Sequence, residues 1–282
     1  MKYFVSATLK SEVVWQIELL IESFKLLGIE DKLVVFLSSY PDPNFKTPFL
    51  KNISSFKNVY ITPNYGKFKS FESLNDIKNI LLALDKNVID DEFVYLPSDC
   101  VIYKEPESIK DIGTCRFHTD LLFSPENINS KVDLLDNFEI NPESIESNTW
   151  PYASKILHFK GFHVSFFEEW LSNTEKYVFN QYLNQIAPYE KTNQVVINLL
   201  LRKYLGKYFP VQLSNFASSL QDHEIGNFVC YESGFHPIFN KNMFAYNSIA
   251  LANPFEVLAA NKPTIAFAYV SGLAEKYLKS NN

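Results

Sequence analysis

Apolar residues along the chain fall into two alternating patterns, short uninterrupted runs and longer segments with helical spacing. The runs predict strands and the longer segments predict helices. In the first hundred residues the strands are Tyr3–Ala7, Lys32–Leu37, Asn58–Ile61 and Phe93–Leu96, and the helices are Glu12–Leu27 and Phe71–Leu84. Strands without polar alternation that alternate with helices are typical of right-handed βαβ units. The pattern therefore predicts the α/β class with a doubly wound, mostly parallel sheet.

The pattern is less regular after Pro106. Further strands are expected at Cys115–Phe123 and Ile156–His163, and helices at Ser165–Leu171 and from Thr192 onwards. The aromatic side chains of the helix at 165–171 are expected in the core. Residues 127–149 are polar and acidic and predict a long loop, which in a compact domain is usually functional. We find no repeat or clear linker, so a single domain is expected.

Composition limits the function. The net charge of −6 and pI near 5.5 argue against a broad electrostatic grip on nucleic acid. The only two arginines are Arg116 and Arg202, so phosphate contacts would fall mainly to lysines and backbone N–H groups. Three widely spaced cysteines form no metal or disulfide pattern, and no run is long enough to span a membrane. We expect a soluble, cytoplasmic protein.

The most informative segment runs from Phe93 to Tyr103. Two apolar runs flank Pro97-Ser98-Asp99-Cys100, which places a carboxylate between two buried strands. Ligands of open α/β sheets bind at the carboxyl ends of strands, where Asp99 is expected. An aspartate at such a position can also simply cap a turn. These residues alone leave both interpretations open.

This segment resembles the D-x-D segment of GT-A type glycosyltransferases, which lies between two hydrophobic strands. In those enzymes the triplet holds a divalent metal on the diphosphate of a nucleotide-sugar. The triplet here is Pro97-Ser98-Asp99, so only the last acidic position is kept. The resemblance implies transfer of a sugar from a nucleotide-diphosphate donor, most plausibly a UDP-sugar, to an acceptor hydroxyl with Mn²⁺ or Mg²⁺ bound.

Two later segments extend the resemblance to family-eight enzymes, with some likeness to hydroxyproline arabinosyltransferases. A family-eight helix begins with Asp-Gln and carries an asparagine one turn later. The corresponding residues here are Asn193, Gln194 and Asn198, so an acid is again lost, in this case to an amide. An amide can bind sugar hydroxyls but cannot be a general base. GT-A enzymes also carry a late His followed by Lys, and His236 and Lys241 match in order and approximate spacing.

The resemblance implies a role for each matching residue. Donor-binding residues would be Ala7, Thr8, Lys10, Asn75, Lys78, Ser98 and Lys241. The metal ligands would be Asp99 and His236, and the sugar or acceptor would meet Asn193 and Gln194. If the reaction inverts the anomeric centre, Asp120 or Glu190 would be the general base. Lys78 could equally lie on a solvated helix face, and the Asn193 helix could be an ordinary capped helix.

The resemblance also divides the domain. Residues 1–106 would bind the nucleotide-sugar, residues 107–249 the acceptor, and residues 250–282 form a C-terminal tail without an assigned role. The acceptor is open: a glycan, a protein or a modified nucleic-acid base. A sugar nucleotidyltransferase is disfavoured because the loop Ala7–Ser11 has no glycine. The loss of acids at Pro97 and Asn193 leaves a second hypothesis, a catalytically degenerate protein that binds nucleotide-sugars or glycans.

Overall fold

The structure, a computed structural model, describes residues 1–9, 11–39, 56–64, 72–106, 113–114, 136–141, 156–177, 192–205, 211–212, 216–217, 228–230, 268–273 and 276. The strands are β1 Lys2–Thr8, β2 Leu33–Ser39, β3 Val59–Pro63, β4 Glu92–Leu96, β5 Cys100–Ile102, β6 Gly113–Thr114, β7 Leu157–Lys160, β8 Val211–Gln212, β9 Phe216–Ala217 and β10 Phe228–Cys230. The main helices are α1 Ser11–Leu26, α2 Glu72–Asp85, α3 Val164–Tyr177 and α4 Thr192–Leu205. Residues 268–273 are also helical and are called the C-terminal helix. No helix among these residues is long and apolar enough to cross a membrane.

Within the described residues the strands form two sheets. The larger has seven strands in the order β3-β2-β1-β4-β7-β6-β8, and the smaller has the order β5-β10-β9. Strand β4 runs parallel to β1 and antiparallel to β7. The fold is α/β with a mostly parallel sheet, as the strand and helix pattern predicted. Strand β7 confirms the strand expected within Ile156–His163, but its antiparallel direction was not expected from the sequence.

Burial explains why the first strands could be predicted. Residues Tyr3 to Thr8 of β1 are all buried, and so are Leu33 to Ser38 of β2. A strand flanked by other strands and covered on both faces has no solvent side, so its sequence shows no polar alternation. The polar residues that do occur, Ser6, Thr8 and Ser38, lie at the carboxyl ends of the two strands.

Helix α1 ends where the sequence predicts. Gly28 has a φ of +66°, the left-handed conformation that glycine adopts at little cost. Its N–H donates to Lys25 O at 2.9 Å, and Ile29 N–H donates to Phe24 O at 3.1 Å. These two bonds satisfy carbonyl groups of the last turn in the pattern of a Schellman motif.

The chain divides into two compact units, each assembled from three segments. Unit 1 comprises residues 1–6, 62–96 and 109–213, and unit 2 comprises residues 7–61, 97–108 and 214–282. The division of function at residue 106 that the resemblance implies remains a prediction.

Unit 1 has an aromatic core between its sheet and helix α3. The rings of Phe93 and Phe159 lie 5.1 Å apart on neighbouring strands, and Phe167 of α3 lies 5.1 Å from Phe159. Trp170 is 2% exposed and its ring lies 6.3 Å from Phe159. The α3 aromatic residues are therefore core residues, as expected from their spacing.

Candidate active site

Four of the predicted donor and metal residues lie where β1 and β4 end, and all four belong to unit 2. The two strands are parallel, with Val5 opposite Leu96. Because parallel neighbours stay about 4.8 Å apart, the two chain segments run side by side as they reach this edge of the sheet. Ala7 and Thr8 follow Val5 on one chain segment, and Ser98 and Asp99 follow Leu96 on the other. This is the edge at which open α/β sheets bind ligands.

Hydrogen bonds hold the loops at this edge. Ser98 Oγ donates to Gln16 Oε1 of α1 at 2.8 Å. After β1, the Leu9 N–H donates to Ser38 O at the end of β2, also at 2.8 Å. Asp99 is only 5% exposed, so its carboxylate is held within the protein rather than on an open turn. A buried carboxylate is costly unless it is paired or hydrogen-bonded.

In the smaller sheet, the last residue described before His236 lies opposite the residue that follows Asp99. Strands β5 and β10 are antiparallel, with Ile102 opposite Phe228 and Cys100 opposite Cys230. Moving forward along β10 is therefore moving backward along β5, toward Asp99. The chain leaves Cys230 on the Asp99 side of the sheet, and His236 is six residues further on. His236 and Lys241 themselves lie outside the described residues.

The predicted sugar-binding helix exists in unit 1. Helix α4 begins at Thr192, and its first turn contains Asn193 and Gln194. The indole N–H of Trp170 donates to the Asn193 carbonyl oxygen at 3.1 Å, so α3 fixes the start of α4. The Asn193 side chain is half-buried, and Asn198 one turn later is 5% exposed.

Asn75 and Lys78 lie on α2 in unit 1 and have different surroundings. Asn75 is fully buried, and its Nδ2 donates to Asn64 Oδ1 at 3.0 Å. Lys78 Nζ lies 3.0 Å from Glu175 Oε1 of α3. The ion pair provides Lys78 with a carboxylate partner in the protein, and its role toward a donor remains a prediction.

A buried polar chain near Asn75 was missed in the sequence. Asn79 Nδ2 donates to Ser6 Oγ of β1 at 2.9 Å, and its Oδ1 accepts from Thr62 Oγ1 of β3 at 2.9 Å. Asn79 is fully buried. The spacing of Asn75 and Asn79 could have revealed it. Residues four apart lie on one face of a helix, so the two amides would be neighbours. This chain ties the carboxyl ends of two strands to α2.

Three other site predictions lie outside the described residues, namely those for Lys10, Asp120 and Glu190. Among the residues that the structure does describe, no three His, Cys, Asp or Glu side chains come together as a metal site. His158 is fully buried, with its Nε2 3.3 Å from Glu92 Oε1. The roles assigned to individual site residues therefore remain predictions.

No family model matches the sequence, and no curated protein matches it. Solved structures do resemble the fold. The galactosyltransferase LgtC in complex with donor and acceptor sugar analogs is 10% identical, with a TM-score of 0.48 over 96% of this chain and 95% of that one. An active-site mutant of LgtC is also 10% identical, with a TM-score of 0.47 over 92% of this chain and 95% of that one.

A third similar structure is the apo form of the glycosyltransferase GlyE of Streptococcus pneumoniae TIGR4. It is 13% identical, with a TM-score of 0.45 over 99% of this chain and 64% of that one. The solved structures to which this chain is similar thus include glycosyltransferases, the class that its sequence resembles.

Proposed function

We propose that this protein is a glycosyltransferase that moves a sugar from a nucleoside-diphosphate donor, most plausibly a UDP-sugar, to an acceptor hydroxyl. The observation that supports it best is the pairing of β5 with β10. This pairing places Cys230, six residues before His236 in the sequence, opposite Cys100, the residue that follows Asp99. A buried carboxylate, an imidazole and an ammonium group are suited to a nucleoside diphosphate.

The proposed metal is Mn²⁺ or Mg²⁺, held by Asp99, His236 and diphosphate oxygens. Asp99 supplies the oxygen ligand that hard cations prefer. When bound, the metal would neutralise part of the negative charge that develops on the diphosphate as it leaves. The single carboxylate is sufficient only if the diphosphate itself supplies further oxygen ligands, so metal and donor are expected to bind together.

The remaining residues would act on the donor and the sugar. In the reaction the bond between the anomeric carbon and the phosphate oxygen breaks, and a bond from that carbon to the acceptor oxygen forms. Lys241 would stabilise the departing diphosphate, and Ala7, Thr8, Lys10 and Ser98 would line the nucleotide. Asn193 and Gln194 would hydrogen-bond sugar hydroxyls.

The proton of the acceptor hydroxyl needs a base. In an inverting reaction Asp120 or Glu190 would take it. In a retaining reaction the leaving phosphate can take it, and no such carboxylate is needed. An amide at position 193 fits the retaining reaction slightly better. The acceptor would be a glycan, a protein or a modified nucleic-acid base.

On the donor side, Asn75 and Lys78 would lie near the ribose or the diphosphate.

The proposal is tested with purified protein, Mn²⁺ and a panel of UDP- and GDP-sugars. We expect slow donor hydrolysis, measured as released nucleoside diphosphate, and a nucleotide-dependent rise in melting temperature. Asp99→Asn should lower turnover about a hundredfold or more, because it removes the charged metal ligand. Asp91→Asn is the matched control, since Asp91 is exposed and precedes the same strand β4 at its other end.

Two results would contradict the proposal. One is a wild-type protein that hydrolyses no donor and whose melting temperature no nucleotide raises. The other is equal turnover in the Asp99→Asn and Asp91→Asn variants. If nucleotides raise the melting temperature but no donor is consumed, the degenerate binding protein replaces the enzyme.

A further inference from the structure

The C-terminal helix contacts the strand that follows Asp99. Tyr269 Oη donates to the Ile102 carbonyl oxygen at 2.7 Å. Its ring packs edge-on against Tyr103, with ring centres 4.9 Å apart and planes at 89°. Val270 and Leu273 are 0% and 2% exposed, so the apolar side of the helix is buried. Tyr269, Ile102 and Tyr103 all belong to unit 2.

Helix α1 holds the same residue through its other backbone group. Ile102 N–H donates to Ser23 Oγ at 3.1 Å, and Ser23 Oγ–H donates to Leu20 O at 2.6 Å. Within the described residues β5 is an edge strand of its sheet, with β10 on one side only. Both backbone groups of Ile102 are thus used by side chains, where an edge strand would otherwise leave them unpaired.

The Tyr269 hydroxyl is protonated, and can donate, near neutral pH. Burial, with a smaller effect from the neighbouring Tyr103, raises the pKa of Tyr269 to about 12. Lys276 of the same segment lies 3.7 Å from Glu22 of α1, next to Ser23. Lys276 is exposed and Glu22 is half-buried, so the pair adds little stability, but it places Lys276 near the part of α1 that contains Ser23.

We propose that the C-terminal helix positions the Asp99 loop for donor binding, with Tyr269 as the positioning residue. This inference rests on the proposed function. Asp99 directly precedes β5, a strand of only three residues that ends at Ile102. So short a strand has few pairing bonds to hold the loop before it. Strand β10 pairs with one side of β5, and the bonds from Tyr269 and to Ser23 hold Ile102 on the other side. The helix thereby gives the C-terminal tail a role in a site formed far away in the sequence.

The test compares three variants of the full-length chain. Tyr269→Phe removes one hydroxyl and keeps the ring, and Ser23→Ala removes the bond on the opposite backbone group. The matched control is Tyr204→Phe, since Tyr204 Oη also donates one hydrogen bond, to Glu169 Oε2 at 2.6 Å, but on the exposed surface of unit 1. Two quantities are measured: amide hydrogen exchange in residues 97–103, and half-saturating UDP concentration with Mn²⁺ from the melting-temperature shift.

In Tyr269→Phe and Ser23→Ala, we expect exchange in residues 97–103 to become faster and half-saturating UDP to rise about two- to tenfold, the range for one lost hydrogen bond. Tyr204→Phe should change neither. Unchanged exchange in both variants would overturn the positioning role. Faster exchange with unchanged UDP affinity would show that the helix only stabilises the strand, and would also overturn the inference.

The two measurements separate this inference from the proposed function. If wild-type protein binds no nucleotide, the proposed function fails and the positioning role fails with it. The exchange measurement still reports whether Tyr269 and Ser23 support the strand. If wild-type protein binds UDP and both variants behave like wild type in the two measurements, the proposed function stands and the positioning role is rejected.

Discussion

Individual polar residues in this protein lie where apolar ones would be expected, and the clearest case is Asn79. Its side chain is fully buried, and both ends of the amide are used, one by Ser6 and the other by Thr62. A buried amide is tolerated only when it is hydrogen-bonded, and removing it leaves its partners unsatisfied. Asn79 therefore connects α2 to the ends of β1 and β3. Its two hydrogen bonds offset the free-energy cost of burying the amide.

Asn79→Leu should lower the free energy of unfolding by about 1 to 3 kcal/mol, because Thr62 Oγ loses its acceptor inside the protein. Urea unfolding measures the change. Asn173→Leu is the control: this helix asparagine is only half-buried, and its Nδ2 donates to Glu169 O at 3.0 Å in its own helix. A loss for Asn79→Leu no greater than that for Asn173→Leu would contradict the role of the buried polar chain.

The helices show how element ends depend on backbone conformation. Gly28 at the end of α1 has a φ of +66°, and a Cβ added there would meet no atom within 4 Å. The cost of a side chain at Gly28 is thus conformational and not steric crowding. Gly272 lies in the C-terminal helix, is exposed, and also has open space around it, but its φ is not positive.

The two glycines give opposite predictions for the same substitution. Gly28→Ala should destabilise the protein by about 1 kcal/mol, because alanine is disfavoured in the left-handed region. Gly272→Ala should stabilise it by about 0.5 to 1 kcal/mol, because alanine favours a helix more than glycine does. Both changes in the free energy of unfolding are measured by urea unfolding. Effects of the same sign would contradict the left-handed conformation of Gly28 or the helical conformation of Gly272.

At the scale of the whole molecule, the net charge indicates which classes of partner can bind, and it says nothing about the fold. The chain carries a net charge of −6 and only two arginines. Tight non-specific binding to nucleic acid requires many Lys or Arg contacts to phosphate, which release counterions. A single lysine at a nucleoside diphosphate, by contrast, needs no broad basic surface. The overall charge thus favours a glycan or protein acceptor over a nucleic acid.

We expect that the protein does not bind random-sequence duplex DNA at 0.15 M salt. Fluorescence anisotropy with protein up to about 10 μM tests this, because non-specific DNA-binding proteins already bind at such concentrations. The same titration at low salt is the internal control for a weak electrostatic attraction. Saturable binding at 0.15 M salt would contradict the argument from net charge and would favour a nucleic-acid acceptor.

The sequence by itself determined the class of fold and the strands and helices predicted in the first hundred residues. β1 and β2 could be predicted because a strand covered on both faces must be apolar throughout, and the end of α1 because Gly28 supplies a conformation that other residues avoid. Asp99 could be singled out because a carboxylate between two apolar runs is unusual. The order of these local signals was also sufficient to reveal the resemblance to glycosyltransferases.

Only the tertiary structure decided which distant residues meet. That β10 runs antiparallel to β5, with Cys230 opposite Cys100 next to Asp99, depends on strand pairing, which the apolar pattern of β10 does not encode. The antiparallel direction of β7, the Ser6–Asn79–Thr62 chain and the Tyr269–Ile102 bond escaped prediction for the same reason. Hydrophobic periodicity reports how deeply a residue is buried, whereas a hydrogen bond across 167 positions depends on which surfaces the folded chain brings together.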